Sequence, residues 1–257
     1  MKIGSLCSGI GGLEAGLSRA IPDAQTVWQV EQDEYARAVL AKHWPDTRRF
    51  EDVREVGAHN LEPVDLICGG FPCQDISVAG RGAGIDGKRS GLWSEFARII
   101  GELVPRYAVM ENSPALNSRG MGRVLGDLAA LGYDAIWDCI PAAAVGAPHR
   151  RDRVFIIAYT NSERRRKEQK RQLRRKDSAE LGHDGKAQFV ARFKPDRSVN
   201  SKAWASCAGI RRVAAGVPHR VDRLRCLGNA VVPQVAEVVG RVVVELEQEQ
   251  RRALSRE

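Results

Sequence analysis

The sequence of 257 residues lacks several features that would assign it to a common class. No run approaches the roughly 18 consecutive apolar residues that a membrane-spanning helix needs, so we expect no membrane partner. The residues from Met1 to Leu6 form no long apolar leader, which argues against secretion. The six cysteines include no C-x-x-C pair, so we expect no zinc site and no metal. Such scattered cysteines are typical of reduced thiols in the cytoplasm.

The positive charge of the chain is concentrated in one segment. Residues 161–200 contain 13 Lys and Arg against 6 Asp and Glu, which leaves the rest of a chain of net charge +8 nearly neutral. A neutral body with one basic segment is typical of a protein that binds a polyanion, above all a nucleic acid. A solvated loop would explain the charge equally well.

Short apolar runs alternate with helical patterns over the first 160 residues. The clearest strand-like runs are residues 3–6, 26–30, 64–68, 107–110 and 154–158. This alternation is typical of an α/β fold, with a mainly parallel sheet covered by helices on both faces. The pattern breaks at Asn161 and returns from Val231 to Glu249 as a helix expected to rejoin the first domain. The chain therefore divides into residues 1–160, 161–215 and 216–257.

A glycine-rich turn, Cys7–Gly12, follows the first predicted strand. Its glycines allow a sharp turn and the close approach of a ligand, although an ordinary turn has the same composition. Glu14 stands where the third glycine of G-x-G-x-x-G would fall, which disfavours a nicotinamide site. Glu31 ends the second strand, where an acidic residue can bind ribose hydroxyls. With Asp52 placed to meet an adenine amino group, an adenosyl ligand is favoured.

Cys73 lies just beyond the third predicted strand, where open α/β sheets bind their ligands. Pro72 stiffens the loop that presents the thiol. A thiolate is the strongest common side-chain nucleophile, and it needs an electropositive setting. An isolated cysteine is more often a small buried hydrophobe. Cys68, inside the strand, fits that description, whereas Cys73 in its polar loop does not.

Three charged side chains follow or begin later strands. Glu111 would lie in the same crevice as Cys73, where an acid can protonate a heterocycle nitrogen. Arg151 and Arg153 alternate as on an extended chain, so both side chains are expected on one face, able to hold a carbonyl, phosphate or carboxylate. Taken singly, a solvated glutamate and surface arginines are the more common explanations.

Together these motifs resemble those of the DNA (cytosine-5)-methyltransferase family, in the same order and over nearly the whole chain. The motifs are Cys7–Gly12, Pro72-Cys73-Gln74, Arg89-Ser90-Gly91-Leu92-Trp93, Glu111-Asn112, Arg151-x-Arg153 and Gly228-Asn229-Ala230-Val231-Val232-Pro233. The resemblance implies a Rossmann-like S-adenosylmethionine-dependent methyltransferase fold with a small, irregular target-recognition domain. Residues 1–160 would be the catalytic and cofactor-binding domain, 161–215 the target-recognition region, and 216–257 the segment that returns to the catalytic domain.

The resemblance also implies a role for each motif. Cys73 would attack C6 of a cytosine flipped out of double-stranded DNA, and Glu111 would protonate its N3. Arg153 would bind the cytosine O2, with Arg151 in support. Residues implied around the cofactor S-adenosylmethionine are Leu6, Ser8, Gly9, Gly11, Glu31, Asp52, Pro72, Asn229 and Val231. The resemblance implies the cytoplasm of a prokaryotic or phage-infected cell, with or without a partner restriction enzyme. We expect a monomer because one chain contains a complete site.

Two other functions remain open at the level of the sequence. An RNA cytosine methyltransferase would use the same chemistry, and phosphate contacts do not distinguish the two polymers. A catalytically silent nucleic-acid-binding protein would be marked by the loss of Cys73 or Glu111, and both are present. The sequence departs from the family at Cys7, where an aromatic residue is usual, and at Ser113, where Val is usual.

Overall fold

The computed structural model describes residues 1–71, 91–160 and 219–255, which contain seven strands and seven α-helices. The strands are β1 (Lys2–Leu6), β2 (Gln25–Val30), β3 (Arg48–Phe50), β4 (Leu66–Gly70), β5 (Tyr107–Asn112), β6 (Asp134–Pro141) and β7 (Asp152–Tyr159). The helices are α1 (Gly12–Ala20), α2 (Glu34–His43), α3 (Leu92–Leu103), α4 (Leu116–Arg119), α5 (Met121–Ala130), α6 (Arg220–Asn229) and α7 (Pro233–Leu254).

All seven strands form one sheet in the order β3-β2-β1-β4-β5-β7-β6. The first five are parallel to one another, and β7 runs antiparallel to both β5 and β6. The predicted α/β fold class is confirmed, with an antiparallel edge added to the parallel sheet. Only ten residues join β6 to β7, fewer than a parallel crossover needs, so this pair is antiparallel.

Strand order reverses beside β1, which pairs with β2 on one side and with β4 on the other. Chain connections on either side of such a point leave in opposite directions and open a crevice at the carboxyl ends of the strands. Each strand that ends at this edge of the sheet is followed by a polar or glycine-rich segment. The topology therefore brings the predicted motifs after β1, β2, β4 and β5 to one place.

Helices cover both faces of the sheet and bury one apolar cluster on each. On one face, α3 packs its aromatic and aliphatic stripe, including Trp93, Phe96 and Ile100, against β1, β4 and β5. On the other face, α1 and α7 cover Ile3, Leu66 and neighbouring residues. Burial of such side chains supplies the main stabilising free energy of the domain.

Helix α7 contains most of the apolar repeat after Val231 and packs against α1 and the sheet. It packs along α1 so closely that a Cβ atom on Gly16 would lie 2.2 Å from the Pro233 carbonyl oxygen. By length and composition alone, Val221–Ala253 could cross a membrane. Its residues Val235, Val239 and Val243 are buried against α1 and the sheet, which is the usual position of a core helix.

Candidate active site

A cavity of about 330 Å³ opens at the carboxyl edge of the parallel strands. The sequence-predicted site residues that line it are Ser8, Gly9, Glu31, Asp52, Glu111, Arg153, Asn229 and Val231. Leu6 is instead fully buried in the core, and Gly11 and Arg151 lie behind the lining. The predicted residues Pro72 and Cys73, Arg89-Ser90 and the region 161–215 fall outside the described residues.

The glycine turn after β1 forms one wall of this cavity. Gly9 and Gly11 have φ angles of 57° and 82°, in the left-handed region that glycine adopts without strain. A Cβ atom on Gly9 would meet no atom within 4 Å, so the backbone there faces open cavity space. A Cβ atom on Gly11 would instead lie 2.3 Å from the Trp44 ring. Gly9 thus admits a ligand, while Gly11 allows α2 to pack close.

Glu31 is fixed at the end of β2 by two backbone amides. The Gly9 amide donates to Oε2 at 2.7 Å and the Asp33 amide donates to Oε1 at 2.9 Å. Each carboxylate oxygen keeps further acceptor capacity. The vicinal hydroxyls of a ribose are donors that match this free capacity. The open backbone at Gly9 and the oriented Glu31 carboxylate therefore fit the adenosyl part of the predicted cofactor.

Two further predicted features lie beside Glu31. The Asp52 side chain caps a 3-10 turn, Val53–Glu55, by accepting from the Arg54 amide at 2.9 Å. Burial raises the pKa of the Cys7 thiol to about 12, with further contributions from Glu31 and Asp52. Cys7 is therefore a neutral, unreactive wall residue at the position where the family usually has an aromatic ring.

The segment between α6 and α7 closes the cavity from the other side. A Cβ atom on Gly12 would lie 2.3 Å from the Val231 carbonyl oxygen, so this segment lies directly against the start of α1. Arg225 on α6 pairs with Asp33 at the start of α2, with a nitrogen–oxygen distance of 2.5 Å. These contacts hold Asn229 and Val231 at the cavity.

Glu111 and Arg153 form an ion pair at the end of the cavity away from Glu31. Arg153 Nε lies 2.8 Å from Glu111 Oε1, and Glu111 is only 8% exposed. Gly70 pairs with Glu111 across β4 and β5, and a Cβ atom there would lie 2.8 Å from Oε2. Burial raises the pKa of Glu111 to about 7, against the opposing charges of Arg153 and Arg151. A carboxyl with this pKa can hold or release a proton at neutral pH.

Asn112 fixes the chain where it leaves β4, a role that the sequence analysis did not assign to it. Its Nδ2 donates to the Phe71 carbonyl oxygen at 3.1 Å, and its Oδ1 accepts from the Ser113 amide at 2.8 Å. The Phe71 ring packs against Trp93 with 5.2 Å between centroids. Phe71 is the last described residue before Pro72 and Cys73, so the entry to the predicted nucleophile loop is held from two directions.

The expectation of an extended chain through Arg151 and Arg153 is wrong at Arg151. Its φ angle is 35°, in the left-handed region, and the extended strand β7 begins one residue later, at Asp152. The Arg151 Nη2 donates to the Ala230 carbonyl oxygen at 2.6 Å, whereas Arg153 pairs with Glu111. Burial and the neighbouring Arg153 lower the pKa of Arg151. The two guanidinium groups therefore have different partners, the Ala230 carbonyl oxygen and the Glu111 carboxyl group.

Comparison with known proteins identifies a family. The family model for C-5 cytosine-specific DNA methylases matches residues 1–205. The type II methyltransferase M2.BsuMI of Bacillus subtilis is 36% identical over 166 residues, which cover 62% of this chain and 42% of the relative. The orphan methyltransferase M.SPRI of Bacillus phage SPR is 30% identical over 228 residues, which cover 86% and 51%.

The fold is also found among solved structures. The Dnmt2 methyltransferase of S. pombe superposes with a TM-score of 0.53 at 19% identity, over 63% of this chain and 51% of that one. With the family match, this likeness confirms the Rossmann-like methyltransferase fold predicted for the described domain. The chain spans about half the length of the curated relatives it matches.

Proposed function

This chain belongs to the C-5 cytosine-specific DNA methylase family, and from that membership we propose that it methylates C5 of cytosine in a short duplex DNA sequence. The observation that carries the proposal is the Glu111–Arg153 pair in the same cavity as the glycine turn and Glu31. One end of the cavity fits an adenosyl group, and the other presents an acid and a cation to a base. The type II and orphan names of the relatives support protective modification, with or without a partner restriction enzyme.

The chemistry requires a nucleophile because C5 of cytosine is unreactive while the ring is aromatic. We propose that the Cys73 thiolate adds to C6 of a cytosine extracted from the stack, which moves an electron pair towards C5. S-adenosylmethionine supplies the methyl group when bound. Loss of the C5 proton to a base then expels the Cys73 thiolate and restores the aromatic ring, so the enzyme returns to its starting state.

Glu111 and Arg153 supply the charge that this addition needs. Glu111, with a pKa of about 7, can donate a proton to the cytosine N3 at neutral pH, which makes C6 electrophilic. Arg153 holds the Glu111 carboxyl and offers its remaining donors to the cytosine O2. Donors already fixed before the base arrives need no reorganisation during the reaction.

The proposed partner, duplex DNA, is supported by the charge of residues 161–200, which carry 13 Lys and Arg against 6 Asp and Glu. Basic side chains of this kind neutralise phosphates without reading sequence. We assign target recognition to residues 161–215, and we propose a cytoplasmic monomer. These residues lie outside the described part of the chain, so their assignment rests on the sequence alone.

The proposal is tested by incubating the purified chain with labelled S-adenosylmethionine and either duplex DNA or RNA, and by mapping the modified base. We expect label in duplex DNA, as 5-methylcytosine in one recurrent short sequence. Label in RNA alone would contradict a DNA substrate. If the chain binds DNA or RNA but transfers label to neither, the result would favour a nucleic-acid-binding protein without catalytic activity.

Replacing Arg151 by alanine is expected to weaken S-adenosylmethionine binding about tenfold, because one charge-assisted hydrogen bond to the Ala230 carbonyl oxygen is lost. The released segment carries Asn229 and Val231, whereas the ion pair between Glu111 and Arg153 keeps both of its partners. The dissociation constant is measured by calorimetry, with Arg150→Ala on the same loop as control, since Arg150 is 85% exposed. Equal affinities of the two variants would refute the positioning role of Arg151.

A further inference from the structure

Glu14 is a fully buried carboxyl group at the cavity, and the proposed reaction does not use it. It lies in the first turn of α1, directly after the glycine turn, and has 0% exposure. Glu14 and Ser5 both belong to the cavity lining. Glu14 Oε1 accepts from Gln29 Nε2 at 3.4 Å, while Oε2 has no hydrogen-bond partner among the described residues.

The groups around Glu14 do not neutralise a negative charge. Ser5 on β1, Ser8 in the turn and Gln29 on β2 are polar but uncharged. Cys68 on β4 is a buried thiol whose pKa is raised by burial and then by Glu14 itself.

Helix α7, which packs along α1, offers no cation to Glu14 among the described residues. Glu237 on α7 lies beside Gly16 and is paired with Arg241, with a nitrogen–oxygen distance of 2.6 Å. Burial raises the pKa of Glu14, and the neighbouring polar groups of Ser5, Gln29 and Ser8, together with the Glu14 backbone, oppose that shift only in part. A buried carboxyl group without a cation holds its proton, because an unpaired buried charge is very costly.

A cationic ligand in the cavity would reverse this balance. S-adenosylmethionine carries a positive sulfonium sulfur, and its demethylated product, S-adenosylhomocysteine, has an uncharged thioether in the same place. The two molecules are otherwise alike in hydrogen-bonding groups. Glu31, which fits the adenosyl group, and Glu111, which faces the base, line the same cavity as Glu14. Charges in such a site interact strongly because little water screens them.

We propose that Glu14 distinguishes the charged methyl donor from its uncharged product. The donor would bind with release of the Glu14 proton to solvent, so that a carboxylate at the cavity would balance the sulfonium charge. Once the methyl group has left, the carboxylate again lacks a cation, takes up one proton and no longer holds the product by charge. This inference rests on the proposed function, since it requires that S-adenosylmethionine is the cofactor.

The test is calorimetric binding of the donor and of the product to the whole chain, in two buffers of different ionisation enthalpy. The dependence of the binding enthalpy on the buffer gives the number of protons released. We expect the donor to release more protons than the product, by up to one per site. The α-amino group is common to both ligands and cancels in this difference.

The pH dependence has a definite sign. Because donor binding releases a proton, the preference for donor over product should increase as pH rises towards the pKa of Glu14 in the free protein. One linked proton allows a change of at most about tenfold per pH unit. In Glu14→Gln, which keeps the shape but cannot ionise, the preference should be independent of pH and the proton difference should vanish.

The matched control is Glu237→Gln, which alters a carboxyl group that pairs with Arg241 on α7 and lies outside the cavity lining, and it should keep the wild-type difference. Equal proton release by donor and product in the wild-type chain would overturn the role of Glu14, whether or not the Gln variant folds. A proton difference retained in Glu14→Gln would do the same. Binding of neither ligand would refute the proposed function itself, and this inference with it.

Discussion

Replacement of Cys73 by alanine is expected to reduce methyl transfer by at least about 10³-fold, because the variant has no group that can add to C6. Without that addition, the C5 position keeps its aromatic, unreactive character. Binding of S-adenosylmethionine should remain within a few-fold of wild type, since the cradle formed by Gly9 and Glu31 is unchanged. A loss of kcat with unchanged cofactor affinity is therefore the expected signature.

A covalent trap identifies the nucleophile more directly than a loss of rate. In DNA with 5-fluorocytosine at the target, the fluorine at C5 cannot leave as a proton does, so the enzyme stays bonded to C6 after methyl transfer. We expect a denaturation-resistant complex with wild type and with Cys139→Ala, since Cys139 on β6 does not line the cavity. A complex that also forms with Cys73→Ala would exclude Cys73 as the nucleophile.

The described residues just before the loop support the assignment of Cys73 as the nucleophile. The Phe71 carbonyl is held by Asn112, and Gly70 lies opposite Glu111 in the β4–β5 register. Cys73 follows Phe71 by only two positions in the sequence. The expected nucleophile thus follows directly from the strand that faces the Glu111 carboxyl.

Sequence patterns predicted the parts of this site that depend on topology. Parallel strands that end at one edge bring together whatever follows them, so the position of Glu111 after its strand predicts that it lies in the ligand-binding crevice. In the structure, Gly9 and Glu31 line the same cavity as Glu111. The apolar repeat after Val231 predicted α7 because its period is that of a helix packed on one face. Both inferences use only local patterns and the connection rules of α/β sheets.

The rest depends on contacts between segments far apart in the chain. Alternation predicted an extended chain through Arg151, but its contact with Ala230 joins residues 79 positions apart and accompanies a left-handed backbone. In the sequence, Glu14 marks only the position of a missing glycine. Its burial depends on how α1 packs against α7 and the sheet, which the local pattern does not contain. The pKa of Glu111 likewise depends on burial against β7, which no local pattern contains.

Replacement of Arg153 by alanine is expected to lower kcat/KM on duplex DNA by about 10²- to 10³-fold, as for other fixed donors at a reacting centre. The variant loses the donor for the cytosine O2 and leaves Glu111 without its ion pair. Arg153→Lys keeps the positive charge but not the planar set of guanidinium donors, so we expect an intermediate loss of kcat/KM. Arg150→Ala is the control, because the Arg150 side chain is exposed and pairs with Asp152 rather than with Glu111. Equal kinetics for Arg153→Ala and Arg150→Ala would contradict the assignment.

The same variant makes a prediction about stability, whose sign follows from Glu111. In the wild type, burial raises the pKa of Glu111 from 4.5 to about 7, and the charge of Arg153 limits that rise. Without Arg153 the pKa of Glu111 in the folded state should rise further. The folded state then keeps this proton up to a higher pH, whereas the unfolded state has already lost it. Stability then falls as pH increases across that window. Thermal unfolding should therefore show Arg153→Ala losing more stability than wild type between about pH 7 and pH 8. If the thermal stability of wild type and of Arg153→Ala changed with pH in the same way, Arg153 would not control the charge of Glu111.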